Sequence, residues 1–494
     1  MKCYLNPKRV YGAINPMIYG HFIEFFHRQI YGGIYDPASP LADKDGLRSD
    51  VGDALRNIKV PILRWPGGCY VSSYHWEQGV GKTRTPFFDK AWRVEDPNTF
   101  GTDEFITFCR KIGCEPYICT NAGTGTAEEM SDWVEYCNLK NQGQFAKKRI
   151  ANGYEQPHNV KYWSIGNENY GAWEIGAKEA DEWSRLVLES AKMMKHVDPS
   201  VQLSAAALND PNWNLKLLQK AGNFLDWISI HVYFDGLQNV FDYAPSDYET
   251  MMGRTGKIAG SISRVRGTLA MLGLEKKIKI AYDEWNPRGW HHPGIHTNLG
   301  YGLENDEYVK VRDKNDTNST YTMADAVFTA CFLNECIRNC DVVQMANFAP
   351  MLNTTGPIYT YDGGIVKRST YYVFELLTHH MGDVAVDLWA DETPVETMGG
   401  ADVPMLDLAA ALRSDGALTV SAVNKSDATS REVSFVLPEG YSSATVYTLN
   451  GPSKDSYNDV GATPVTIREN DCVLRDGAAL VTLPPHSVNL IVLR

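Results

Sequence analysis

The sequence predicts an α/β fold, a (β/α)8 TIM barrel followed by a C-terminal antiparallel β-sandwich that is jelly-roll-like. Three observations lead to this prediction: eight short, β-rich apolar segments between residues 17 and 348, helical patterns between them, and, after Met381, short strand-like segments separated by turn residues. Alternating β-rich and helical segments are typical of βα units around a parallel sheet. The 494 residues are 44% hydrophobic and 22% charged, which is enough apolar material for both domains.

The predicted barrel strands include several that are almost uniformly hydrophobic, as in WISIHVYF and KIKIAYDEW. A strand that is buried on both faces requires this pattern. In chain order the eight predicted strands are Met17–Glu24, Val60–Trp65, Glu115–Asn121, Lys161–Glu168, Gln202–Leu208, Asp226–Val232, Lys277–Glu284 and Asp341–Phe348.

Amphipathic helices are predicted between these strands, and a last helix closes the ring. The predicted helices are Gly46–Ile58, Thr102–Ile112, Glu128–Leu139, Ala177–Val197, Ile258–Leu272, Met323–Asn339 and Ser369–His380. Thr102 is the predicted N-cap of its helix, because a hydroxyl side chain can accept from a free backbone N–H there. The barrel is thereby assigned to residues 17–381.

Residues 382–494 contain short strand-like segments separated by turns such as Ser-Asp-Gly, Pro-Glu-Gly and Asn-Gly, which predict the β-sandwich. The segments are MLDLAAAL, ALTVSAVN, REVSFVL, SATVYTL, ALVTL and SVNLIVL. Residues 1–16 precede the first barrel strand and have no partner in the barrel. We therefore expect them to contribute a strand to the sandwich.

The charge balance excludes some classes of partner. Lys and Arg total 47 against 60 Asp and Glu, a net charge of −13, which opposes binding to nucleic acid or to an anionic membrane. Neither a signal peptide nor an apolar run of about 20 residues is present, so we expect a cytoplasmic protein. The ten cysteines include no Cys-x-x-Cys pair, and we expect buried free thiols and no metal site.

Polar side chains lie at seven of the eight predicted strand ends. In a TIM barrel the active site forms at the C-terminal ends of the strands, so these positions converge on one rim. A single one could be an ordinary polar residue at a strand terminus, but their convergence indicates a site. They are Glu24, Arg64, Asn121, Asn167 with Glu168, His231 with Tyr233, Glu284 and Gln344.

Glu168, in SIGNENYG, and Glu284, in AYDEWNP, end strands four and seven, which face each other across the barrel mouth. Two carboxyl groups that face each other in this way can cleave a glycosidic bond. One protonates the leaving oxygen while the other attacks the anomeric carbon. A separation of roughly 5–5.5 Å would give retention of configuration. Asn167 could bind the ring hydroxyl next to the reacting carbon, a contact that strengthens as charge develops.

Eight segments in matching order resemble glycoside hydrolase family 51, chiefly α-L-arabinofuranosidases, and the resemblance covers nearly the whole chain. The segments are GHFIEFFHRQIYGGIYDP, VPILRWPGGCYVSSYHWEQGVG, EPYICTNAGTGTAEEMSDWVEYCN, KYWSIGNENYGAWEIG, SIHVYF, DEWNP, VVQMANFAPM and LPPHSVNLIVL. The resemblance implies that Glu168 is the general acid/base and Glu284 the nucleophile. It also implies that no cofactor is needed and that the protein forms a homo-oligomer, a hexamer.

The resemblance further implies a set of residues that hold the furanose and tune the two carboxyl groups: Glu24, Arg64, Asn167, His231, Tyr233 and Gln344. A general acid must be protonated near neutrality, so we expect burial or the charge of Glu284 to raise the pKa of Glu168. Arg64 and Tyr233 are the expected partners that keep Glu284 ionised.

One departure from the family pattern is Cys69 in RWPGGCYVS, where the family usually has Asn. A thiol binds a sugar hydroxyl only weakly, so this position bears on sugar preference. Trp173, which follows strand four directly, is expected at the sugar site.

A second departure is the segment Asn286–Asn318, which is longer than an ordinary βα connection and is expected to line the substrate cleft. Within it Trp290 is either a stacking platform for a leaving sugar or a loop anchor packed on the rim. His291, His292 and His296 favour a solvated or hydrogen-bonding role over a metal site, since no acidic ligand pattern accompanies them.

The leading hypothesis is a retaining, exo-acting α-L-arabinofuranosidase that removes terminal arabinofuranosyl residues from arabino- or arabinoxylo-oligosaccharides. One alternative keeps the mechanism on another glycoside, such as a β-xyloside or β-glucan. Another is a non-catalytic sugar-binding barrel, against which the presence of both Glu168 and Glu284 argues.

Overall fold

A closed barrel of eight parallel strands is followed by a ten-stranded sheet in the computed structural model, which describes residues 1–236, 244–290 and 313–494. The predicted fold class is therefore confirmed. In chain order the strands up to residue 381 are β1 (Lys2–Ala13), β2 (Gly20–Phe22), β3 (Ile62–Trp65), β4 (Phe87–Asp89), β5 (Val94–Asp96), β6 (Glu115–Thr120), β7 (Tyr162–Ile165), β8 (Gln202–Ala207), β9 (Trp227–Asp235), β10 (Lys279–Arg288), β11 (Val343–Phe348), β12 (Ile358–Tyr361) and β13 (Gly364–Lys367).

The barrel strands are β2, β3 and β6 to β11, and each corresponds to one of the eight predicted segments. The first predicted strand is much shorter than expected, because Pro16–Tyr19 forms a 3-10 helix before it. In contrast, β9 and β10 continue beyond the predicted ends, since they go on pairing with each other as far as Asp235 and Arg288.

The helices of the described residues are α1 (Ser49–Asn57), α2 (Thr102–Ile112), α3 (Ala127–Asn138), α4 (Gly143–Ala151), α5 (Ala180–Val197), α6 (Pro211–Ala221), α7 (Tyr248–Arg254), α8 (Lys257–Met271), α9 (Met323–Arg338) and α10 (Ser369–His380). The seven predicted helices are present, and α4, α6 and α7 are additional. The prediction for Thr102 is wrong: Thr102 is the first helical residue and Gly101 is the N-cap. Glu104 accepts from the Gly101 N–H instead, so the side chain of the third helical residue takes over part of the capping.

The barrel interior is filled towards its N-terminal end by a layer of buried side chains from six of the eight strands, with Met17 packed against it: Ile62, Tyr117, Tyr162, Trp227, Ala281 and Met345. Such a layer makes the barrel a packed core and leaves the C-terminal end for the site. Above it lie the polar groups of Arg64 and Asp283, both fully buried.

The C-terminal sheet comprises β14 (Val384–Ala390), β17 (Leu406–Leu412), β18 (Leu418–Asn424), β19 (Arg431–Val436), β20 (Ala444–Asn450), β21 (Thr466–Asp471), β22 (Val473–Arg475), β23 (Ala478–Leu483) and β24 (Ser487–Leu493), while β15 (Val395–Met398) and β16 (Ala401–Pro404) form a separate hairpin. The tenth strand is β1, which pairs antiparallel with β14 and parallel with β19. Strands from both halves of the sheet face one apolar core, which is the arrangement of a sandwich.

Strand β24 attaches the sheet to the barrel. Its residues Val488, Leu490 and Val492 belong to the core of the barrel domain, whereas Ile491 and Leu493 belong to the core of the sandwich. Because both of its faces are covered, every residue of β24 is buried and its sequence is almost continuously apolar.

Within residues 1–236, 244–290 and 313–494, none of the helices is long and apolar enough to cross a membrane. All ten cysteines are free thiols, and eight of them are buried. Cys69 and Cys472 are the two that are partly accessible.

Candidate active site

A β-bulge in β10 places two adjacent acidic side chains inside the barrel. Ala281 pairs with Ser229 of β9, but Glu284 pairs with His231, so β10 has one more residue than β9 over this stretch. Asp283 then accepts from the hydroxyl of Ser229 at 2.6 Å, and Glu284 reaches the C-terminal rim. Without the bulge, strand alternation would send one of the two carboxyl groups to the opposite face.

Glu284 is held by the two residues expected from the sequence. Arg64 Nη1 donates to Glu284 Oε2 at 2.9 Å, and Tyr233 Oη donates to Oε1 at 2.6 Å. Burial raises the pKa of Glu284, and the charge of Glu168 acts in the same direction, whereas His231, Arg64 and Tyr233 oppose the rise. The donors therefore both aim the carboxylate and favour its ionised form.

Arg64 connects the carboxylate of Glu284 to Asn167, which follows β7, the fourth strand of the barrel. Its Nη2 donates to Asn167 Oδ1 at 2.9 Å and lies 3.4 Å from Cys119 Sγ, while its Nε lies 3.6 Å from Asp283 Oδ2. Both Arg64 and Asp283 are completely buried, so each charge is compensated by the other and by hydrogen bonds. Arg64 thus sets the relative positions of Glu284 and Asn167.

Glu168 follows β7 with a positive φ of 44°, a sparsely populated conformation for a residue other than glycine. His231 Nδ1 lies 2.9 Å from Glu168 Oε1, and Trp173 Nε1 donates to Oε2 at 2.8 Å. Burial acts to raise the pKa of Glu168, but the hydrogen bond and charge of His231, together with Trp173 and Arg64, outweigh it and lower that pKa. The expected rise is thus not found: His231, which was expected to tune the carboxyl groups, lowers the pKa of Glu168 through its positive charge.

His231 lies among three carboxyl groups: Nδ1 is 2.9 Å from Glu168 and 3.5 Å from Glu284, and Nε2 is 3.5 Å from Asp283. Burial alone would lower its pKa, but these neighbours raise the pKa to about 10. One oxygen of Glu168, one of Glu284 and a nitrogen of His231 all lie within 4.8 Å of one another. A metal would require a neutral imidazole, so the charge balance here favours a proton on His231 over a cation.

Glu24, at the end of β2, is completely buried beside the same rim. Its Oε1 accepts at 3.0 Å from the backbone N–H groups of Gly68 and Tyr70 and from Trp92 Nε1. Burial and the charge of Glu284 raise the pKa of Glu24 to about 8. Oε2 is buried without a hydrogen-bond partner among the described residues, which is uncommon for a buried polar atom.

Cys69 is half-buried in a short 3-10 helix (Cys69–Ser73) after β3, at the edge of the site. Its Sγ, one oxygen of Glu168 and one oxygen of Glu174 lie within 4.8 Å of one another. Burial and the charges of Glu174, Glu168 and Glu24 raise the pKa of the thiol well above its usual range. Cys69 is therefore a neutral thiol near the acidic side chains.

Two acidic residues near the site were not identified from the sequence. Asp283 precedes Glu284, and an alternating strand would have turned it away. Glu174 lies in the loop after β7, where no periodic pattern indicates the direction of a side chain. It is only 4% exposed and is in hydrogen-bond contact with Ser72 and Asn167.

The two tryptophans differ in environment. Trp173 is 55% exposed next to Glu168, which suits a contact with sugar. Trp290 is buried, and its ring packs edge-on against Tyr233 at 5.5 Å and face-on near Phe26. This packing favours the loop-anchor interpretation. His291, His292 and His296 lie outside the described residues, as does most of the segment 286–318.

Two of the predicted rim residues do not join the other side chains of the candidate site. Gln344 is the second residue of β11, at a register shift near the N-terminal end of the strand and next to Met345 of the apolar layer. It is thus at the end of the barrel opposite the rim, and its assignment to the sugar site is wrong. Asn121 accepts from three backbone N–H groups of the following loop, Gly123 to Gly125, and so has a structural role.

Comparisons with protein families match two regions of the chain. The α-L-arabinofuranosidase 1 domain matches residues 54–252, and the α-L-arabinofuranosidase C-terminal domain matches residues 283–487. The first region contains Glu168 and the second contains Glu284.

Similar proteins cover the chain almost completely. α-L-Arabinofuranosidase C of Emericella nidulans is 32% identical over 99% of this chain and 96% of its own length. The intracellular exo-α-(1→5)-L-arabinofuranosidase 1 of Bacillus subtilis is 31% identical over 95% of this chain and 93% of its own. Among solved structures, the Thermotoga maritima α-L-arabinofuranosidase complex with arabinose aligns with a TM-score of 0.84 at 36% identity over 99% of each chain.

Proposed function

The chain belongs to the α-L-arabinofuranosidases of glycoside hydrolase family 51, and we propose that it removes terminal, non-reducing arabinofuranosyl residues by double displacement with Glu284 as nucleophile and Glu168 as general acid/base. The observation that carries this proposal is the close approach of the two carboxyl groups, with an oxygen of each within 4.8 Å of the other. Retaining glycosidases keep their two carboxyl groups about 5–5.5 Å apart, whereas inverting enzymes need roughly 6.5–9.5 Å to admit a water.

The protonation states follow from the contacts of His231. A protonated His231 beside ionised Glu168 contains the same number of protons as a neutral His231 beside protonated Glu168. Moving one proton along the 2.9 Å hydrogen bond converts the first state into the second. Glu168 can therefore deliver a proton to the leaving oxygen while His231 becomes neutral, and Glu284 stays ionised through Arg64 and Tyr233.

In the first step, Glu284 attacks the anomeric carbon as the bond to the leaving oxygen breaks, and Glu168 protonates that oxygen. In the second step, Glu168 takes a proton from water, and this water displaces Glu284 from the anomeric carbon. Asn167, fixed by Arg64, is available to a ring hydroxyl in both steps. Two inversions at one carbon leave the configuration unchanged.

The substrates we propose are arabino- and arabinoxylo-oligosaccharides. The B. subtilis relative is named as an exo-acting enzyme for α-(1→5) linkages and as intracellular, which supports exo action and a cytoplasmic location here. The homo-oligomeric state, a hexamer, rests on the family resemblance. Light scattering coupled to size exclusion should then give six times the chain mass, and a monomer mass would contradict it.

The proposed function is tested by hydrolysis of 4-nitrophenyl α-L-arabinofuranoside beside the β-xyloside, the β-glucoside and the α-L-arabinopyranoside. We expect turnover of the furanoside, with the α-anomer of arabinose formed first in the proton NMR spectrum. Linear arabino-oligosaccharides should lose single arabinose units. Activity on another glycoside alone would overturn the substrate assignment, and initial formation of the β-anomer would overturn the double displacement.

A further inference from the structure

We propose that Glu174 is a positioning residue of the sugar site: a neutral carboxyl group that orients the amide of Asn167 and the thiol of Cys69 as one polar wall for the hydroxyl groups of the furanose. This inference rests on the proposed function and extends it to a residue outside the catalytic pair. It concerns the position at which the chain has Cys69 in place of the Asn expected in the family.

The geometry joins two parts of the chain through one side chain. Glu174 Oε1 lies 2.5 Å from Ser72 Oγ, in the 3-10 helix after β3. Glu174 Oε2 accepts from Asn167 Nδ2 at 3.4 Å, in the loop after β7, and Cys69 Sγ lies within 4.8 Å of an oxygen of the same carboxyl group. Arg64 donates to the amide oxygen of Asn167. The amide nitrogen is therefore the atom that faces Glu174.

The surroundings of Glu174 disfavour a charge. It is only 4% exposed, and burial together with the charge of Glu168 raises its pKa to about 8. The ionisable groups that face it are mostly acidic, and they come from the ends of β2, β3, β7 and β10: Glu24, Cys69, Glu168, Tyr170 and Glu284. At neutral pH the carboxyl group is therefore protonated and both donates and accepts.

Ionisation would change what Glu174 does to its neighbours. A protonated carboxyl group can donate to Ser72 Oγ while its second oxygen accepts from Asn167. A carboxylate only accepts, and as a charged acceptor it attracts the donors of Asn167 and Cys69 more strongly. Those donors would then be less available to the sugar, so KM should rise as the pH passes the pKa of Glu174.

The test compares Glu174→Gln, Glu174→Ala and the exposed-site control Glu128→Gln with the wild type on 4-nitrophenyl α-L-arabinofuranoside between pH 5 and 9.5. Gln reproduces the protonated acid, because its amide nitrogen donates to Ser72 and its amide oxygen accepts from Asn167 at every pH. We expect Glu174→Gln to keep kcat/KM within about threefold at pH 6 and to lose the rise of KM above pH 8. Glu174→Ala should lower kcat/KM about 10- to 100-fold at pH 6.

Equal kcat/KM of Glu174→Ala and wild type would overturn the positioning role, and the same KM profile in Glu174→Gln and wild type would overturn the neutral state. Thermal unfolding of all variants separates a folding defect from a site defect, and the folded Gln variant keeps the test decisive. An inactive wild type would overturn the proposed function and this inference together, whereas an active wild type with unaltered variants would overturn this inference alone.

Discussion

His231 Nδ1 lies 2.9 Å from Glu168 Oε1, so the proposed acid/base is paired with a side chain whose own pKa is raised to about 10. The usual way to keep a catalytic acid protonated is to raise its pKa by burial or by a neighbouring negative charge. In the mechanism proposed here the proton is held on the imidazole, one hydrogen bond away from the carboxylate that would deliver it. In the proposed mechanism the pair therefore functions as one proton donor.

Removal of either carboxyl group should separate their two roles. Glu284→Ala should lower kcat for 4-nitrophenyl α-L-arabinofuranoside by about 10⁴-fold or more, because no glycosyl-enzyme can form. Glu168→Ala should lower kcat more than kcat/KM, since nitrophenolate leaves without protonation but the intermediate still needs a base. Azide should rescue the first variant to the β-azide and the second to the α-azide, measured by NMR. The same anomer from both variants would contradict the assignment.

Tyr233→Phe tests how the nucleophile is kept ionised. The substitution removes the hydroxyl that donates to Glu284 Oε1 at 2.6 Å but keeps the ring that packs on Trp290. Loss of a hydrogen bond to a charged group should reduce kcat/KM about tenfold. The pKa of Glu284 should rise, so the acid limb of the kcat/KM profile should move to higher pH. Tyr441→Phe, in the sandwich, is the control, and an unmoved acid limb would show that Tyr233 does not act on the charge of Glu284.

Glu24→Gln should alter the pH dependence of stability. The pKa of Glu24 is about 8 in the folded protein, against about 4.3 for an unfolded glutamate. The folded state therefore binds this proton more tightly, and the resulting stability is present in acid and is lost as the pH rises towards 8. Glutamine has no such loss, so the free energy of unfolding of the variant relative to wild type should be larger at pH 8 than at pH 5.

Urea unfolding at both pH values measures this difference, with exposed Glu439→Gln as the control. An identical difference between variant and wild type at pH 5 and pH 8 would mean that Glu24 is ionised in the folded protein at both.

Cys69 should resist alkylation although it is only half-buried. Burial and three nearby carboxyl groups keep its thiol protonated, and the thiolate is the reactive form. Iodoacetamide at pH 7.5 should therefore modify Cys472 before Cys69 and leave activity unchanged, as followed by peptide mass spectrometry. Unfolded protein, in which all ten cysteines react, is the control. Rapid loss of activity that arabinose prevents would show a reactive Cys69 thiolate.

The sequence by itself determined the barrel, the order of its eight strands and the rim positions of Glu24, Arg64, Glu168, His231 and Glu284. These features depend on local information: a strand buried on both faces must be apolar, and a polar residue that ends it lies at the C-terminal end of the barrel. The same reasoning failed for Gln344, because its place in the strand depends on where the strand begins and on a register shift.

Only the tertiary structure decided which side chains meet. The bulge in β10 that turns both Asp283 and Glu284 inward depends on pairing with β9, and nothing in the sequence of β10 alone requires it. The hydrogen bond from His231 to Glu168 joins residues 63 positions apart, and Glu174 reaches Ser72 across 102 positions. Hydrogen bonds and charge interactions act over a few ångströms, so the protonation state of each group depends on neighbours that only the folded chain brings together.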